Sequence, residues 1–472
     1  MRKIIFLISF LASIIGLAQD GSLDTSFKVQ GSISPDAIIK LQSDGKIIVV
    51  ERFYNGGDFV EASKISRLNS NGSVDMSFAT GTGINLIGEV RAVVIQSNGR
   101  ILIGGRFRRN AEETSNIYLA GISSNGSLDF IPFAPGIDFV ESIAVQPDGK
   151  ILVGGYFPKW IARINPLGGL DPSFNSSLDD NLDYGTSISN IVLRPDNKIL
   201  AIGYVTIEGG HERRIFSLNS NGELNNDFQE PSNIDWTYGD LWRPKFLALE
   251  KNGNILIAWP FRVLSNSGDE IGYNFVRLDS NGNVITVFQP LSDGALCLPH
   301  PVGLQEDGKI IMAGSTCTYY NGYNFRGIAR LNIDGSIDET FDPRRGLNGH
   351  VECVAIQPDG KILISGYFTV YNEVPVNHII RLNSTRLSNS EFNSTAMRVY
   401  PNPVADNLHI QLSDNLNGAD ISELEIYDIT MKKIDFNMPS KDVIDVSDFS
   451  SGVYLLKVKT DDSIFTSRFV KN

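Results

Sequence analysis

Short runs of alternating apolar and polar residues follow one another along most of the chain, and each run ends in a turn rich in Gly, Asn and Asp. Alternation with a period of two is the pattern of half-buried β-strands, and such turns are typical of hairpins. One apolar–turn–apolar unit recurs about every 50 residues. Its seven copies contain Leu41–Lys46, Ile95–Arg100, Val145–Lys150, Leu193–Lys198, Leu249–Asn254, Leu304–Lys309 and Ile356–Lys361.

Each copy of the repeat contains four strand candidates. In the third copy they are Ser142–Gln146, Lys150–Tyr156, Trp160–Asn165 and Leu170–Phe174. The turn between the first two fits a three-residue hairpin, in which Gly takes the left-handed position. Four-stranded units of about 50 residues are typical of propeller blades. The pattern therefore predicts an all-β fold, with a seven-bladed β-propeller over residues 19–384.

Charged residues oppose each other across the second hairpin of the repeat. With a three-residue loop after Asn69, Arg67 faces Asp75, and opposite charges so placed stabilise a strand pair by roughly 0.2–1 kcal/mol. The same spacing pairs Arg163 with Asp171 and Arg330 with Asp338. Two copies depart from it: Arg277 meets Ile285, and Asp129 meets Gly121. The repeated acids thus have a predicted structural role, which weakens them as catalytic candidates.

The last copy ends at Ile379–Leu382 without its own fourth strand. A segment that matches the missing strand, Leu23–Phe27, stands alone near the N-terminus. We expect this segment to pair with the last copy and close the ring, with Asp24 facing Arg381. Closure of this kind removes exposed sheet edges.

The sequence of the repeat resembles the delta-60 repeat family of bacterial β-propellers. The resemblance is carried by the strings Asp-Gly-Lys-Ile-Leu-Val-Gly-Gly and Arg-Leu-Asn-Ser-Asn-Gly-Ser-Leu-Asp-x-Ser-Phe, which recur in order. It implies a propeller fold and a secreted context, and it brings no catalytic residue to carry over.

The first 18 residues have the features of a secretory signal peptide. Arg2 and Lys3 form a basic start, Ile4–Ile15 an apolar core, and Gly16–Ala18 a cleavage site of small residues. The apolar run is shorter than the about 20 residues that cross a bilayer. We therefore expect an exported protein with no membrane span.

The period ends after Asn383, and residues 385–396 have the Asn, Ser and Thr content of a linker. Alternation resumes in residues 397–472, which predicts a separate small β-sandwich domain. Its strand candidates are Leu408–Leu412, Glu423–Asp428, Val453–Lys459 and Ile464–Val470.

This tail resembles the type A C-terminal sorting domain of the type IX secretion system. The matching positions include Pro401, Asn402, Pro403, Gly452, Tyr454, Arg468 and Val470. The resemblance implies recognition by the type IX machinery, export across the outer membrane of a Gram-negative bacterium, and removal of the tail. The mature protein would be secreted or held at the cell surface.

Charge and motifs exclude several classes of function. A net charge of −13 repels phosphate backbones, so no nucleic-acid partner is expected. The five histidines show no metal-ligand spacing, and the chain has no phosphate loop, dinucleotide fingerprint or Gly-x-Ser-x-Gly elbow. We therefore expect no metal, no cofactor and no catalytic residue.

Three cysteines suit an oxidising compartment with at most one disulfide. Counting outward from the turn before Lys309 brings Cys297 opposite Cys317. Pro299 and Pro301 can interrupt that ladder, so the bridge stays open as a possibility. Cys353 is expected to stay reduced within a strand.

The connections of the repeat define two unequal faces. The uniform Gly turns join strands one to two and three to four, on what we call the turn face. The remaining connectors, which vary in length and composition, lie on the opposite, variable face, where binding tends to occur. Two of them are aromatic, with ligand-binding candidates Trp236, Tyr238, Trp242, Tyr319, Tyr320 and Tyr323. The alternative is that these rings pack against their own blades.

The sequence favours a monomeric, secreted or surface-displayed binding or adhesion module, whose ligand is a carbohydrate or a surface protein. An alternative is a propeller-type glycosidase or lyase that degrades polysaccharide, with acids drawn from Glu51, Asp179, Asp180, Asp183 and Asp240. Glu51 and Trp259 also replace the small residue that ends the second strand in the other copies. A structural surface component without a small ligand is a third possibility.

Overall fold

The computed structural model forms two compact units, Met1–Thr385 and Arg386–Asn472. The predicted all-β class is confirmed, since the regular elements are strands apart from a single 3-10 turn at Ala79–Gly81 among the described residues. The structure describes residues 20–56, 60–130, 138–178, 187–207, 210–236, 246–265, 267–288, 299–314, 319–320, 323–324, 327–384, 397–412, 421–428, 433–440, 442–460 and 464–471.

The strands of the first four repeats are β1 (Ile38–Leu41), β2 (Ile47–Tyr54), β3 (Val60–Leu68), β4 (Ile84–Ile95), β5 (Ile101–Arg108), β6 (Ile117–Ile122), β7 (Leu128–Phe130), β8 (Phe139–Val145), β9 (Ile151–Tyr156), β10 (Ile161–Ile164), β11 (Ser187–Leu193), β12 (Ile199–Ile207) and β13 (Gly210–Leu218). Each follows the previous one as an antiparallel neighbour within its repeat.

The strands of the last three repeats are β14 (Ile234–Asp235), β15 (Phe246–Leu249), β16 (Ile255–Leu264), β17 (Glu270–Leu278), β18 (Val284–Val287), β19 (Pro299–Leu304), β20 (Ile310–Gly314), β21 (Tyr319–Tyr320), β22 (Tyr323–Asn324), β23 (Ile328–Leu331), β24 (Val351–Ile356), β25 (Ile362–Gly366), β26 (Val370–Tyr371), β27 (Val374–Pro375) and β28 (Ile379–Leu382). The pairs β21–β22 and β26–β27 are small hairpins on the variable face.

The fourth strand of the repeat is shorter than predicted. It is a single bridge in five repeats, as between Leu68 and Val74, and a strand only at β7 and β18 among the described residues. The cause is local: Oδ1 of Asp75 accepts hydrogen bonds from the backbone N–H (2.9 Å) and the hydroxyl (2.7 Å) of Ser77. Such an Asx turn bends the chain away from the sheet after two paired residues.

The first strand of each repeat packs against the first strand of the next, and β24 in the last repeat packs against β1 in the first. Apolar clusters fill the space between neighbouring sheets. Small residues end the second strand because the neighbouring repeat comes close: a Cβ on Gly104 would lie 2.5 Å from the Val140 side chain, and one on Gly154 would lie 2.8 Å from Ile188.

The predicted ion pairs are confirmed, and they connect more than two strands. Arg163 donates from Nε to Asp171 (2.8 Å) and from Nη1 to the carbonyl of Ser220 in the turn of the next repeat (2.5 Å). Its guanidinium lies 4.9 Å from the Phe174 ring centroid, and Lys150 binds the same carboxylate at 2.9 Å. The equivalent Nε–carboxylate pairs are Arg67–Asp75 (2.7 Å), Arg330–Asp338 (2.6 Å) and Arg381–Asp24 (2.8 Å).

The two predicted exceptions have different outcomes. Asp129 lies opposite Gly121 as expected, and Arg100 fills the space above that glycine to pair with Asp129. The register predicted for Arg277 is wrong, because a bulge in β17–β18 places Thr286 opposite it rather than Ile285. Arg277 is instead bound by Glu250 at 2.8 Å.

The N-terminal segment closes the ring as predicted. Leu23 forms an antiparallel bridge with Leu382, and the N–H of Asp24 donates to the carbonyl of Arg381 at 2.8 Å. The Nη1 of Arg381 then reaches the carbonyl of Ser70 in the first repeat at 2.5 Å. The last repeat is therefore tied to the first by the same contacts that tie consecutive repeats together.

The second unit is a β-sandwich built from two four-stranded sheets, in the orders β29-β30-β34-β33 and β32-β31-β35-β36. Its core includes Leu408, Ile426, Ile444, Leu456 and Phe469. The strands are β29 (Met397–Tyr400), β30 (Asn407–Leu412), β31 (Ile421–Asp428), β32 (Lys433–Ile434), β33 (Asn437–Ser440), β34 (Val443–Asp445), β35 (Gly452–Thr460) and β36 (Ile464–Lys471).

The predicted signal peptide (1–18) and linker (385–396) lie outside the described residues. In the part of the chain that is described, no helix has both the length and the apolar character required to cross a membrane.

Removing the repeated arginine should destabilise the first unit strongly. Arg163→Ala leaves the buried Asp171 carboxylate with Lys150 and the hydrogen bonds from Ser173, without its arginine partner. Breaking a buried ion pair costs about 3–5 kcal/mol. The matched control is Asp129→Ala. Asp129 occupies the position of Asp171 in the second repeat, but its side chain is mostly exposed, so losing its ion pair with Arg100 should cost under about 1 kcal/mol of folding stability. Urea unfolding of the two variants measures the difference, and equal midpoints would contradict the assigned role.

The same aspartates predict an acid transition. Burial disfavours their ionised form, but hydrogen bonds from a lysine and a serine (a threonine for Asp338), together with the arginine, outweigh it. The pKa values of Asp24, Asp75, Asp171 and Asp338 therefore fall well below the ordinary value of 3.8. The stability they contribute is therefore complete above pH 3.8 and is lost as the pH falls further below it. Circular dichroism against pH should show this loss, and Asp171→Asn should flatten it.

Candidate functional site

The two ends of the strands differ in what their polar side chains do. On the turn face, the arginine, aspartate and lysine of each typical repeat are bound to one another and to the next repeat. On the variable face, the described side chains form a mixed aromatic and charged cluster between the last and first repeats. Its aromatic members are Tyr54, His350 and Tyr367, which we call the aromatic platform.

Asp36 organises the part of the cluster that belongs to the first repeat. It lies in the turn just before β1 and is only 4% exposed. Its carboxylate accepts hydrogen bonds from the Ser34 hydroxyl (2.6 Å) and the Tyr54 hydroxyl (2.7 Å), and it pairs with Nε of Arg52 at 2.9 Å. Arg52 also donates to the Asp36 carbonyl at 2.8 Å. The Tyr54 ring is thus held at its hydroxyl end, while 44% of the residue stays exposed.

The last repeat supplies the other two rings. His350 stacks on Tyr367 with ring centroids 4.4 Å apart, and its Nε2 lies 3.2 Å from Glu352. Tyr367 is 45% exposed, and the N–H of Tyr367 donates to the His350 carbonyl at 2.8 Å. Three half-exposed rings therefore lie beside buried, fixed charges.

Charges from both repeats influence the tyrosine hydroxyls of the platform. Burial raises the pKa of the Tyr54 phenol, and the hydrogen bond to Asp36 raises it further against the opposing charge of Arg52. Burial and the negative charges of Asp36 and Glu352 likewise raise the pKa of Tyr367. Both hydroxyls stay protonated near neutral pH and can donate or accept hydrogen bonds.

A second charged group follows on the second repeat. Arg106 binds Asp138 through Nη2 at 2.5 Å, and the guanidinium groups of Arg106 and Arg91 each lie 5.8 Å from the Phe139 ring centroid. Arg91 also pairs with Glu89 at 2.5 Å. Glu89 lies 3.9 Å from Arg52, which links this group to the platform.

Glu51, an acid considered for catalysis, is only 5% exposed and accepts a hydrogen bond from the N–H of Ser34 at 3.1 Å. Lys64 lies 4.0 Å from its other oxygen. Glu51 therefore fixes the segment that carries Asp36 instead of facing an open pocket. The other acids of that hypothesis, Asp179, Asp180, Asp183 and Asp240, lie outside the described residues.

The predicted aromatic residues are only partly described. Trp236 is buried, and its ring packs edge-on against Phe261 with centroids 5.4 Å apart, so it contributes to the core rather than to an open stacking surface. Tyr238 and Trp242 lie outside the described residues. For Tyr319, Tyr320 and Tyr323 the backbone is described as the hairpin β21–β22, without their side chains.

The sequence contained a signal for the platform that pattern reasoning missed. Tyr367 occupies a fixed position in the repeat, five residues after the first isoleucine of the second strand. The residues at that position are Arg52, Arg106, Tyr156, Tyr204, Pro260, Ser315 and Tyr367. Arg and Tyr dominate an otherwise regular pattern, and those two types are favoured where proteins bind ligands and partners.

Sorting-motif residues of the tail take structural positions in the sandwich. The Asn402 side chain accepts a hydrogen bond from the N–H of Val470 at 2.9 Å, which ties the Pro401–Pro403 turn to β36. Tyr454 is buried, stacks on Phe469 at 5.5 Å, and donates to the Ser450 carbonyl at 2.8 Å. Gly452 begins β35, and Arg468 lies in β36.

Cys353 is a free thiol in β24, and burial raises its pKa. Its Sγ lies 3.6 Å from the Ile39 carbonyl of the first repeat. Cys297 and Cys317, the residues of the possible disulfide, lie outside the described residues. No group of three metal-ligating side chains occurs among the described residues.

Family models match both parts of the chain. Six segments match a β-propeller domain of unknown function, DUF5122, at residues 42–78, 96–129, 146–174, 194–228, 305–341 and 357–385. Residues 398–472 match the secretion system C-terminal sorting domain. The fifth repeat lies outside these matches. It is also the repeat in which Asn254, Trp259 and Ile285 replace the usual Lys, Gly and Asp.

Individual proteins resemble the chain more distantly. An ulvan lyase, NLR42 from Nonlabens ulvanivorans, is 24% identical over 192 residues, which span 36% of this chain and 35% of that protein. The structure of PorZ, a surface component of the type IX secretion system of Porphyromonas gingivalis, matches with a TM-score of 0.45 and 15% identity over 95% of this chain and 60% of that one. The structure of virginiamycin B lyase from Staphylococcus aureus matches with a TM-score of 0.40 and 14% identity, over 75% of this chain and 98% of that one.

The raised pKa of Tyr54 depends on Asp36, which gives a direct test of the platform geometry. Asp36→Asn removes the negative charge and leaves Arg52, so the pKa of Tyr54 should fall towards the ordinary value of 10.0. Asp138→Asn, which acts on Arg106 in the second repeat, is the control and should leave that pKa unchanged. NMR titration of labelled tyrosine rings, assigned with Tyr54→Phe, measures both. An unchanged value in Asp36→Asn would contradict the geometry.

Proposed function

We propose that this chain, a DUF5122-type β-propeller exported through its type IX sorting domain to the cell surface or the medium, binds carbohydrate through the variable face of its repeats. Export and fold follow from the two family matches. The ligand and the binding role are our inference from the aromatic platform. The ring that carries it would have seven blades, one for each copy of the repeat.

The difference between the two faces is the observation that carries this proposal. On the turn face the repeated charges bind one another, and Arg163, for example, has partners in two repeats. On the variable face, Tyr54 and Tyr367 remain about half exposed while the charges beneath them are fixed. Exposed rings over a rigid polar base are typical of a preorganised binding surface.

The chemistry of the platform favours a sugar over a protein partner. A pyranose ring offers an apolar C–H face that packs on aromatic rings and hydroxyl groups at its edge that need donors and acceptors. The platform offers three rings with Asp36, Arg52 and Glu352 beside them. Tyr238, Trp242 and the tyrosines of β21–β22 are candidates for additional subsites.

A polysaccharide lyase or glycosidase is the second candidate, and the similarity to an ulvan lyase favours it. The geometry of the described residues supports binding instead. Asp36 already has three partners within 2.9 Å, so it is poorly placed to act as a free acid or base. The raised pKa of Tyr54 also makes its phenolate scarce near neutral pH, which weakens it as a base.

The binding proposal predicts that one tyrosine matters far more than its repeat equivalent. Tyr367→Ala removes a platform ring, whereas Tyr156→Ala removes the residue at the same repeat position in the third repeat. Loss of a stacked aromatic contact costs about 1–3 kcal/mol, so Tyr367→Ala should weaken binding by about 5- to 150-fold. The measurement is glycan-array screening that includes ulvan fragments, followed by calorimetry on the strongest hit. Equal affinities for the two variants would place the glycan-binding site elsewhere. An array on which the wild-type protein binds no glycan would favour a protein partner.

The same preparation separates binding from catalysis. We expect no chain cleavage when the wild-type protein is incubated with ulvan, because the Asp36 carboxylate of the platform is already held by Ser34, Tyr54 and Arg52. Ultraviolet absorbance of an unsaturated uronate product would detect a lyase, and release of reducing ends would detect a glycosidase. Either product, lost in Tyr54→Phe, would replace the binding proposal with the enzymatic one.

A further inference from the structure

The platform is built from opposite ends of the repeat region. Asp36 and Tyr54 belong to the first repeat, and His350 and Tyr367 belong to the last. The segment that carries Ser34 and Asp36 follows directly after Leu23–Phe27, the strand that completes the last repeat. The platform therefore spans the junction where the ring closes, which we call the seam.

Contacts along the whole depth of the seam hold these two ends together. Near the platform, the Ser365 hydroxyl donates to the Ala37 carbonyl at 2.8 Å, and the Asn377 side chain donates to the Gly31 carbonyl at 3.0 Å. Farther along, the Cys353 thiol faces the Ile39 carbonyl. At the turn face, Arg381 binds Asp24 at 2.8 Å and the Ser70 carbonyl at 2.5 Å.

We propose that the platform exists as a site only while the seam is closed, so that ligand binding and ring closure stabilise each other. The ligand part of this statement rests on the proposed function. Opening the seam would separate Tyr54 and Asp36 from Tyr367 and His350, and a ligand that contacts both sides binds only the closed form. Such a ligand must favour closure by the same factor by which closure favours binding.

The chain provides a closely matched control for this coupling. Arg163 in the third repeat makes the same contacts as Arg381: each Nε lies 2.8 Å from its aspartate and each Nη1 lies 2.5 Å from a serine carbonyl of the next repeat. The guanidinium-to-ring distances are 4.9 and 5.0 Å. The two arginines are both 8% exposed. They differ in position, since only Arg381 holds the seam.

Cys353 reports on the seam without any ligand. The residue is partly buried, and its Sγ lies 3.6 Å from the Ile39 carbonyl of the first repeat, so closure of the seam should slow its reaction. We would compare Arg381→Lys with Arg163→Lys under native conditions, using iodoacetamide and mass spectrometry of the peptide that contains Cys353. Arg381→Lys should raise the alkylation rate at least tenfold over wild type, and Arg163→Lys should leave it within twofold. Equal rates in the two variants would overturn the inference.

The ligand arm uses ulvan fragments and cellohexaose as probes, with affinity measured by calorimetry. For a saccharide that binds wild type, we expect at least a tenfold weaker affinity in Arg381→Lys, little change in Arg163→Lys, and slower Cys353 alkylation when the saccharide is present. Saccharide binding that leaves the alkylation rate unchanged would overturn the coupling. If wild type binds neither probe nor any array glycan, the proposed function fails, while the alkylation comparison still decides whether the seam opens separately.

A milder pair of variants covers the case in which Arg381→Lys does not fold. Asp24→Asn and Asp171→Asn keep the size of the side chain and remove the charge from the equivalent pairs. Both should fold, as judged by circular dichroism, and only Asp24→Asn should raise Cys353 reactivity. Raised reactivity in both would show general loosening and would overturn the inference.

Discussion

The fold depends on one buried arginine, placed so that it satisfies a carboxylate in its own repeat and a carbonyl in the next. The aspartate stays ionised because lysine, serine and arginine all bind it, and an aromatic ring covers the guanidinium. Apolar packing between sheets would tolerate sliding, since it has no direction. The hydrogen bond to a turn carbonyl does have a direction, so it fixes the rotation of each repeat relative to its neighbour.

Two repeats lack the arginine at this position and use other side-chain contacts. In the second repeat Arg100 fills the space over Gly121 to reach Asp129. In the fourth repeat, the Asn225 side chain donates a hydrogen bond to the Ser217 hydroxyl, and Arg194 donates to the Ser280 carbonyl of the fifth repeat at 2.6 Å. In the fourth repeat the hydrogen bond to the next repeat is thus kept although the arginine that makes it differs.

The repeat, its register and the closing strand could all be predicted from the sequence, because they depend on local spacing and on charges a fixed number of residues apart. The bulge beside Arg277 could not, since it changes the pairing without changing the pattern. The shortened fourth strands were missed because the Asp-x-Ser motif is compatible with both a strand and a turn. The platform could not be predicted for a different reason, since Tyr54 and Tyr367 are far apart in sequence. The aromatic-rich loops were the more obvious candidates, but Trp236 in one of them is a core residue.

The closing ion pair has a consequence for the order of folding. The pair between Arg163 and Asp171 joins residues 8 apart in sequence, whereas the pair between Arg381 and Asp24 joins residues 357 apart. The first can form as soon as one hairpin forms, but the second must wait until every repeat between its partners has taken its place. An identical interaction thereby acts as a check on completeness, since a chain with one misplaced repeat cannot bring the two partners together. The exposed edge of the unfinished ring persists until that last step, which is when the chain is most vulnerable to aggregation.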